Sequence, residues 1–495
     1  MIASLRRLLI FVLIVTLPIW MSALVWYCQP TLPLKLSLVD YTVPYDNYAE
    51  HSASIWAFNH LKLIPPPLST ASRKKEQQEG SDHNERRVKE LKGSDFQLDH
   101  TQANGQKGPW ITREHYTGPE PFKPYIQQRL SHTYSLEYLK QNHKLPYDLI
   151  YIADTYGVYR EDFTQVIEKD GKKIKVSASS DPELLKTLFD EDEIDVHMDF
   201  SKLIFGGLSE SDLDVLETHA QREGDIFFEF NAFCDPTPPA VRRRAENLVG
   251  LNWTGWSGRF LPDPHDKNDA PHWLERLYKK QFPNRALPTK ASLLLAHRDG
   301  RVFLIESDTS AQDVLPTLHV KSKFKDRFPM ANTPYYYFWF AIMETQKTTS
   351  KLNQTINKSQ KTEVLAEIHL HAPEKLKNIY EALDIPNEIP LLTESIVGHS
   401  HRFHLSIDGS DIRDNLGNYS YSGLSFLNSI SRKNRGFSVN QRQVFWQFYL
   451  PMLRTVLWER SQARYADFPK SFWQRTFETL NSKKVQFFTA SERKD

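Results

Sequence analysis

The chain has 495 residues, enough for two or three domains that each bury a core. Its formal net charge of +1 excludes a global field that would recruit nucleic acid or an acidic partner, and its two cysteines, Cys28 and Cys234, exclude both a disulfide framework and a four-cysteine zinc site. Aromatic residues make up 12% and include 11 Trp, which suits a carbohydrate-facing protein and an ordinary large core equally.

Residues 1–7 form a short basic tail, with Arg6 and Arg7, ahead of a mostly apolar run over 8–27. That run is roughly the ~20 residues a helix needs to cross a hydrocarbon core about 30 Å thick. The two arginines favour a cytoplasmic N-terminus, and Trp20, Trp26 and Tyr27 suit a membrane interface. The run exceeds the apolar stretch of a signal peptide and no small-residue cleavage site follows it. The expectation is therefore a single-pass anchor in the cytoplasmic (inner) membrane, N-terminus in, with the main domain extracytoplasmic.

Residues 34–40 read as a first strand ending at Asp40, and 48–63 as a helix with Ile55, Trp56, Phe58 and Leu61 at helical spacing. The proline run at 65–67 stops that helix, and 69–107 is polar, mixed in charge and read as a disordered insertion. A second strand spans 147–154 and again ends in a carboxylate, Asp154. A helix is expected over 181–189, and a third strand over 202–207 closed by Gly206 and Gly207. Ser209 is a plausible N-cap for a helix whose apolar stripe is Leu213, Leu216 and Ala220. Residues 226–230 form a fourth strand and 239–248 another helix. Near-continuous apolar strands alternating with helices predict an α/β fold over 28–310, a doubly wound and mostly parallel sheet covered on both faces. Beyond it, Asp299-Gly300 turns a hairpin between 292–297 and 301–306. Strands at 335–343, 364–371 and 402–407, a polar insertion at 346–361 and a packed helix at 440–460 make 311–495 an α+β portion. It packs on the sheet or completes it with β-rich additions.

In an open parallel sheet, ligands bind outside the carboxyl ends of the strands. That rule gathers Asp40, Asp154, Thr155, Tyr156, Gly206, Gly207, Glu229 and Asn231. Asp154 and Glu229 are the candidate acid–base pair, with Asp40, Tyr156 and Asn231 positioning the ligand. An enzyme would hold Asp40, Asp154 and Glu229 within about 10 Å around an open pocket. The competing reading makes the same carboxylates turn residues and helix caps. Trp256 and Arg259, on a presumed loop over 251–260, could offer a stacking face and a fork donor to a saccharide; otherwise Trp253 and Trp256 plug the sheet. Cys234 fails as a nucleophile: its neighbours are Phe233 and Asp235, not the small residues a strained elbow requires, and Asp235 would raise its pKa. His369 and His371, and His399 and His401 with His404, repeat an H-x-H spacing that can hold zinc. No carboxylate can be placed beside them from sequence, so no metal and no other cofactor is expected. The D-x-D matches at 190–192 and 212–214 fall in acidic or helical sequence, not at the end of an apolar strand.

The element order resembles the class I glutamine amidotransferase-like superfamily, in particular its non-catalytic branch found beside glycoside hydrolases. The likeness rests on the first strand with Asp40, on Tyr151-Ile-Ala-Asp154, on Phe205-Gly-Gly-Leu208 before an acidic helix, on the Asp299-Gly300 hairpin and on Phe403-His-Leu-Ser-Ile-Asp-Gly409. It covers about 34–310 and part of 364–460, and it implies a flavodoxin- or Rossmann-like fold. The catalytic branch's Gly-x-Cys-x-Gly and His-x-Glu are absent, so glutamine hydrolysis is not implied. The chain is also similar to bacterial membrane-anchored envelope proteins associated with surface polysaccharides. The expected function is binding or processing a cell-envelope polysaccharide in a strand-end acidic cleft. The expected partners are the cytoplasmic membrane and either polysaccharide or envelope-assembly proteins, with no nucleic acid. A non-enzymatic scaffold of an envelope assembly complex and a type II membrane glycosyltransferase are the alternatives.

Overall fold

The structure is a computed structural model that describes residues 31–41, 52–64, 147–159, 164–169, 172–177, 203–266, 269–271, 273–336, 339–346, 361–409 and 443–466, with isolated positions between 11 and 29. Most of the expected anchor over 8–27, the insertion over 69–107, the helix over 181–189 and nearly all of 346–361 lie outside these residues. Among the described residues, no helix is long and apolar enough to cross a membrane.

An eight-stranded mixed sheet organises the fold. Strands are numbered in chain order, from β1 (Leu32–Pro33), which pairs with β3 (Leu63–Ile64) in a short ribbon. One half of the large sheet is parallel: β2 (Leu36–Asp40), β4 (Leu149–Asp154), β9 (Asp225–Glu229) and β18 (Ser400–Leu405) lie side by side. Leu149 to Ala153 and Ile226 to Phe228 are buried without alternation, as strands covered on both faces must be. On one face, Leu36, Leu38, Tyr151, Phe227 and Phe403 pack with Trp56 and Phe58 of α1 (Ser52–His60) and with the C-terminal helix. On the other, Val39, Ile150, Ile152, Ile226 and Phe228 meet α2 (Glu210–Gln221) and α3 (Pro239–Val249). Ser209 caps α2 in a capping box with Asp212, as its spacing predicts.

The other half is antiparallel, in the order β14 (Thr333–Pro334), β13 (Thr317–Val320), β16 (Lys361–His369) and β17 (Glu388–Val397), which joins β18. Three pairings are parallel and four antiparallel, so the expected mostly parallel sheet is corrected to a mixed one. The cause is a hairpin: β17 turns through Gly398 into β18, which then runs alongside β9. Strands from both sides of residue 310 thereby share one sheet. The helix closing the chain begins with a π-helical turn, Phe445–Tyr449, and continues as α5 (Leu450–Tyr465).

Two further expectations change. The segment before Gly206 is β8 (Leu203–Phe205), which pairs with β5 (Val158–Tyr159) outside the large sheet, so Asp225–Glu229 is that sheet's third strand in chain order. Gly206, at φ 152°, crosses Gly157 so closely that a Cβ there would lie 2.3 Å from the Gly157 Cα. A hairpin of β6 (Thr164–Lys169) and β7 (Lys172–Ser177) precedes this crossing. The supposed loop at 251–260 is β10 (Leu251–Leu261), inside a second, antiparallel sheet with β11 (Ser292–His297), β12 (Val302–Glu306) and β15 (Trp339–Thr345). Gly255, at φ 88°, sits where the β10–β15 register shifts, and this bulge hides the strand's alternation. Between β10 and β11, α4 (Leu274–Gln281) covers the outer face of the second sheet. The two sheets join where Ala341 N–H donates to Ser406 O at 2.8 Å.

Candidate functional site

At the carboxyl edge of the parallel half, Asp40 and Asp154 stand opposite each other in register at the ends of β2 and β4. Asp154 accepts the Tyr156 N–H at 2.8 Å, a local turn bond. Thr155 Oγ1 donates to Ala232 O at 3.0 Å, and Gly207 N–H donates to Thr155 O at 2.7 Å. These bonds tie the loops after β4, β8 and β9 into one edge. Tyr156 is 38% exposed there, while Asn231 is only 9% exposed and its Oδ1 accepts no hydrogen bond among the described residues.

Glu229 is elsewhere. It is fully buried, and its carboxyl group accepts from the Tyr151 hydroxyl, from the Tyr449 hydroxyl at 3.3 Å and from the Gly409 N–H at 2.6 Å. The two hydroxyl oxygens also lie 2.9 Å apart, a contact that competes with the longer Tyr449–Glu229 bond because each phenol has one proton to donate. Burial first, and then the Glu229 charge, pushes both tyrosine pKa values well up, so they act as neutral donors. This knot belongs to the core around α5, whereas Asp154 acts electrostatically on Cys234 in the core beneath α2 and α3. The sheet stands between Asp154 and Glu229 and does not bring them together as an acid–base pair.

Cys234 is buried, and its thiol pKa is pushed well up, first by burial and then by Asp235. The left-handed backbone that a nucleophile elbow needs occurs four residues earlier, at Phe230 (φ 50°), just beyond the end of β9. A phenyl ring occupies the position where a thiol or hydroxyl would be useful. Directly after Cys234 comes a cluster that sequence reading missed: Asp235 Oδ1 pairs with Arg242 at 3.0 Å and Arg298 at 3.1 Å, and both guanidinium groups lie over the Trp253 ring, at 5.4 and 5.7 Å. Arg298 comes from the turn of the second sheet, a proximity that no local spacing records.

Trp256 is 3% exposed and packs on His297 and Phe303, which makes it a plug within the second sheet rather than a rim residue. Arg259 is buried, pairs with Asp269 and lies over Trp339 at 5.7 Å. Asp212 of the second D-x-D match is engaged by the Ser209 cap and by the Tyr41 hydroxyl at 3.0 Å, and Asp214 by Arg244 at 2.7 Å.

The histidine pairs separate. His369 pairs with Glu388 at one end of β17, and His401 pairs with Ile396 at the other, roughly 26 Å away at the rise of a strand. His401 Nδ1 donates to Glu394 at 2.7 Å, and His399 lies exposed in the turn. His404 is buried, donates to Phe230 O at 3.1 Å and is held at about 4 by burial, hence neutral. His369 and His371 instead share an outer face with His319, a residue the sequence reading passed over. Burial lowers the pKa of both His319 and His371. Comparison of the chain with protein-family models, curated proteins and solved structures finds no match.

Proposed function

We propose that the chain is a membrane-anchored, extracytoplasmic protein that binds a cell-envelope polysaccharide at the carboxyl ends of β4 and β9 without cleaving it. The observation that carries this reading is the Asn231 Oδ1, buried and without a donor among the described residues, on an edge that also bears the exposed Tyr156. Leaving a buried acceptor unsatisfied costs about 1–3 kcal/mol, which a ligand hydroxyl would recover once the Asn231 side chain turns outward to meet it. Sugars offer both the hydroxyl donor and an apolar C–H face that stacks on a phenol ring. Asp154 adds a half-buried carboxylate acceptor beside them. Binding is preferred to processing because Glu229, the natural partner acid, is fully buried in the core, engaged by Tyr151, Tyr449 and the Gly409 N–H. The anchor rests on residues 8–27 and on the basic pair ahead of them. Likeness to a non-catalytic branch of the amidotransferase-like superfamily accords with the same reading.

The test is binding of the detergent-solubilised full chain to immobilised envelope polysaccharides. Tyr156→Ala and Asn231→Ala are each expected to weaken binding by about 10-fold, the equivalent of one lost contact of ~1.4 kcal/mol, without lowering the urea midpoint. Wild-type affinity in both variants, or release of reducing ends from the glycan, would refute the proposal. A periplasm-dependent reporter fused at residue 40 should be active; activity only of a cytoplasm-dependent one would sink the topology.

A further inference from the structure

We infer that the outer face of the antiparallel half carries a divalent transition-metal site of the zinc type, built by Glu367, His369 and Glu388. One donor atom from each of the three lies within 4.8 Å of the others. Strand register produces this arrangement. Thr317, His369 and Glu388 are direct neighbours across β13, β16 and β17, and His319 is opposite Glu367 one pleat along. Leu318 and Ile368, the alternate residues, are fully buried in the core, so the polar set projects from the other side. Glu367, His369, His319 and Thr317 are half-buried and Glu388 is exposed, which leaves the face reachable from solvent.

The donor chemistry suits a borderline metal. Zn2+ accepts both imidazole nitrogen and carboxylate oxygen, and three protein ligands leave a fourth position to water. Two glutamates balance the charge of one dication. His369 Nε2 lies 3.8 Å from the Glu367 Oε2, and among the described residues neither ring nitrogen of His369 is in a hydrogen bond. The flanking imidazoles are engaged: Thr317 Oγ1 bonds His319 Nε2 at 2.8 Å and His371 Nε2 at 3.1 Å. His319 also stacks on His369, with ring centroids 4.0 Å apart, and so holds the ligand ring in place as a neighbouring side chain rather than as a further ligand. Lys321 occupies the far oxygen, Oε1, of Glu367; it is 41% exposed and can swing into water when a cation arrives. Donor atoms up to 4.8 Å apart need only small rotamer shifts to reach a common centre about 2.0–2.2 Å from each. The site stands apart from the strand-end edge, so neither proposal depends on the other.

The probe is Zn2+ itself, titrated into the tag-free full chain in detergent, by calorimetry and by competition with a chromogenic chelator. The expected result is saturable binding that His369→Ala weakens on the order of 100-fold and Glu388→Gln by about 10-fold or more. His399→Ala, at the far end of β17, should leave it unchanged. Bound Co2+ in place of Zn2+ should show the visible d–d absorption of a four-coordinate site, absent in His369→Ala. His369 and Glu388 lie on the surface, and equal urea midpoints will separate ligand loss from misfolding. Absence of Zn2+ binding by the wild-type chain, wild-type affinity in both His369→Ala and Glu388→Gln, or loss on His399→Ala instead would overturn the site.

Discussion

Glu229→Ala is expected to destabilise the protein by about 3–5 kcal/mol, read as a fall in the urea midpoint at constant slope. The substitution leaves the Gly409 N–H and one of the two paired tyrosine hydroxyls without an acceptor, deep in the core. It also opens a cavity of several heavy atoms beside Tyr151 and Phe227, whose rings stack at 4.6 Å. Glu229→Gln should cost less, about 1–2 kcal/mol: its amide oxygen can still accept from Gly409 N–H, and its NH2 can donate to a hydroxyl that turns to accept. Tyr449→Phe should fall in the same lower range, since it removes one hydroxyl from the knot. A catalytic carboxylate would behave in the opposite way, since removing one commonly leaves stability unchanged or raises it. An unaltered midpoint for Glu229→Ala would therefore restore Glu229 as a candidate for chemistry.

The acid limb of the stability curve should be dominated by Glu394. Burial alone would raise its pKa, but hydrogen bonds from His401 and from Arg327 outweigh burial and hold it at about 2. Arg327 is shared with Glu459 of α5 at 2.7 Å, so the pair also clamps the C-terminal helix onto the sheet. Because the folded pKa lies below the unfolded value, the stabilisation is complete above the unfolded pKa of about 4.5 and is lost as pH falls toward 2. A shift of this size corresponds to roughly 3 kcal/mol. Urea unfolding from pH 7 down to pH 2 should show that loss in the wild type, and Glu394→Gln should flatten the slope between about pH 4.5 and 2. An equal slope in the variant would assign the acid sensitivity to other carboxylates.

Both expectations concern residues whose environment local sequence does not record. Glu229 ends an apolar strand, and in a chain read one residue at a time that is also where an active-site acid would be. What makes it structural is Tyr449, 220 positions away, arriving on a π-helical turn. His369 poses the converse case. Its H-x-H spacing was plain, but its carboxylates come from Glu367 on its own strand and from Glu388 on a strand that Pro390 disguises, facing the β16 bulge.

Some of the molecule could be read directly from the chain. Uninterrupted apolar runs in β4 and β9 marked strands covered on both faces, the Ser209–Asp212 spacing marked a helix start, and a cysteine between Phe233 and Asp235 could not be an elbow nucleophile. These properties follow from periodicity, capping and local sterics, which act over a few residues. Tertiary structure alone decided that β18 would lie against β9 and convert a parallel sheet into a mixed one, that Gly206 marks a backbone crossing rather than a sheet strand's end, and that Trp253 sits beneath two arginines from different elements. Strand order and face depend on contacts between segments hundreds of residues apart. No local pattern encodes which of two carboxylates will meet water and which will meet a tyrosine.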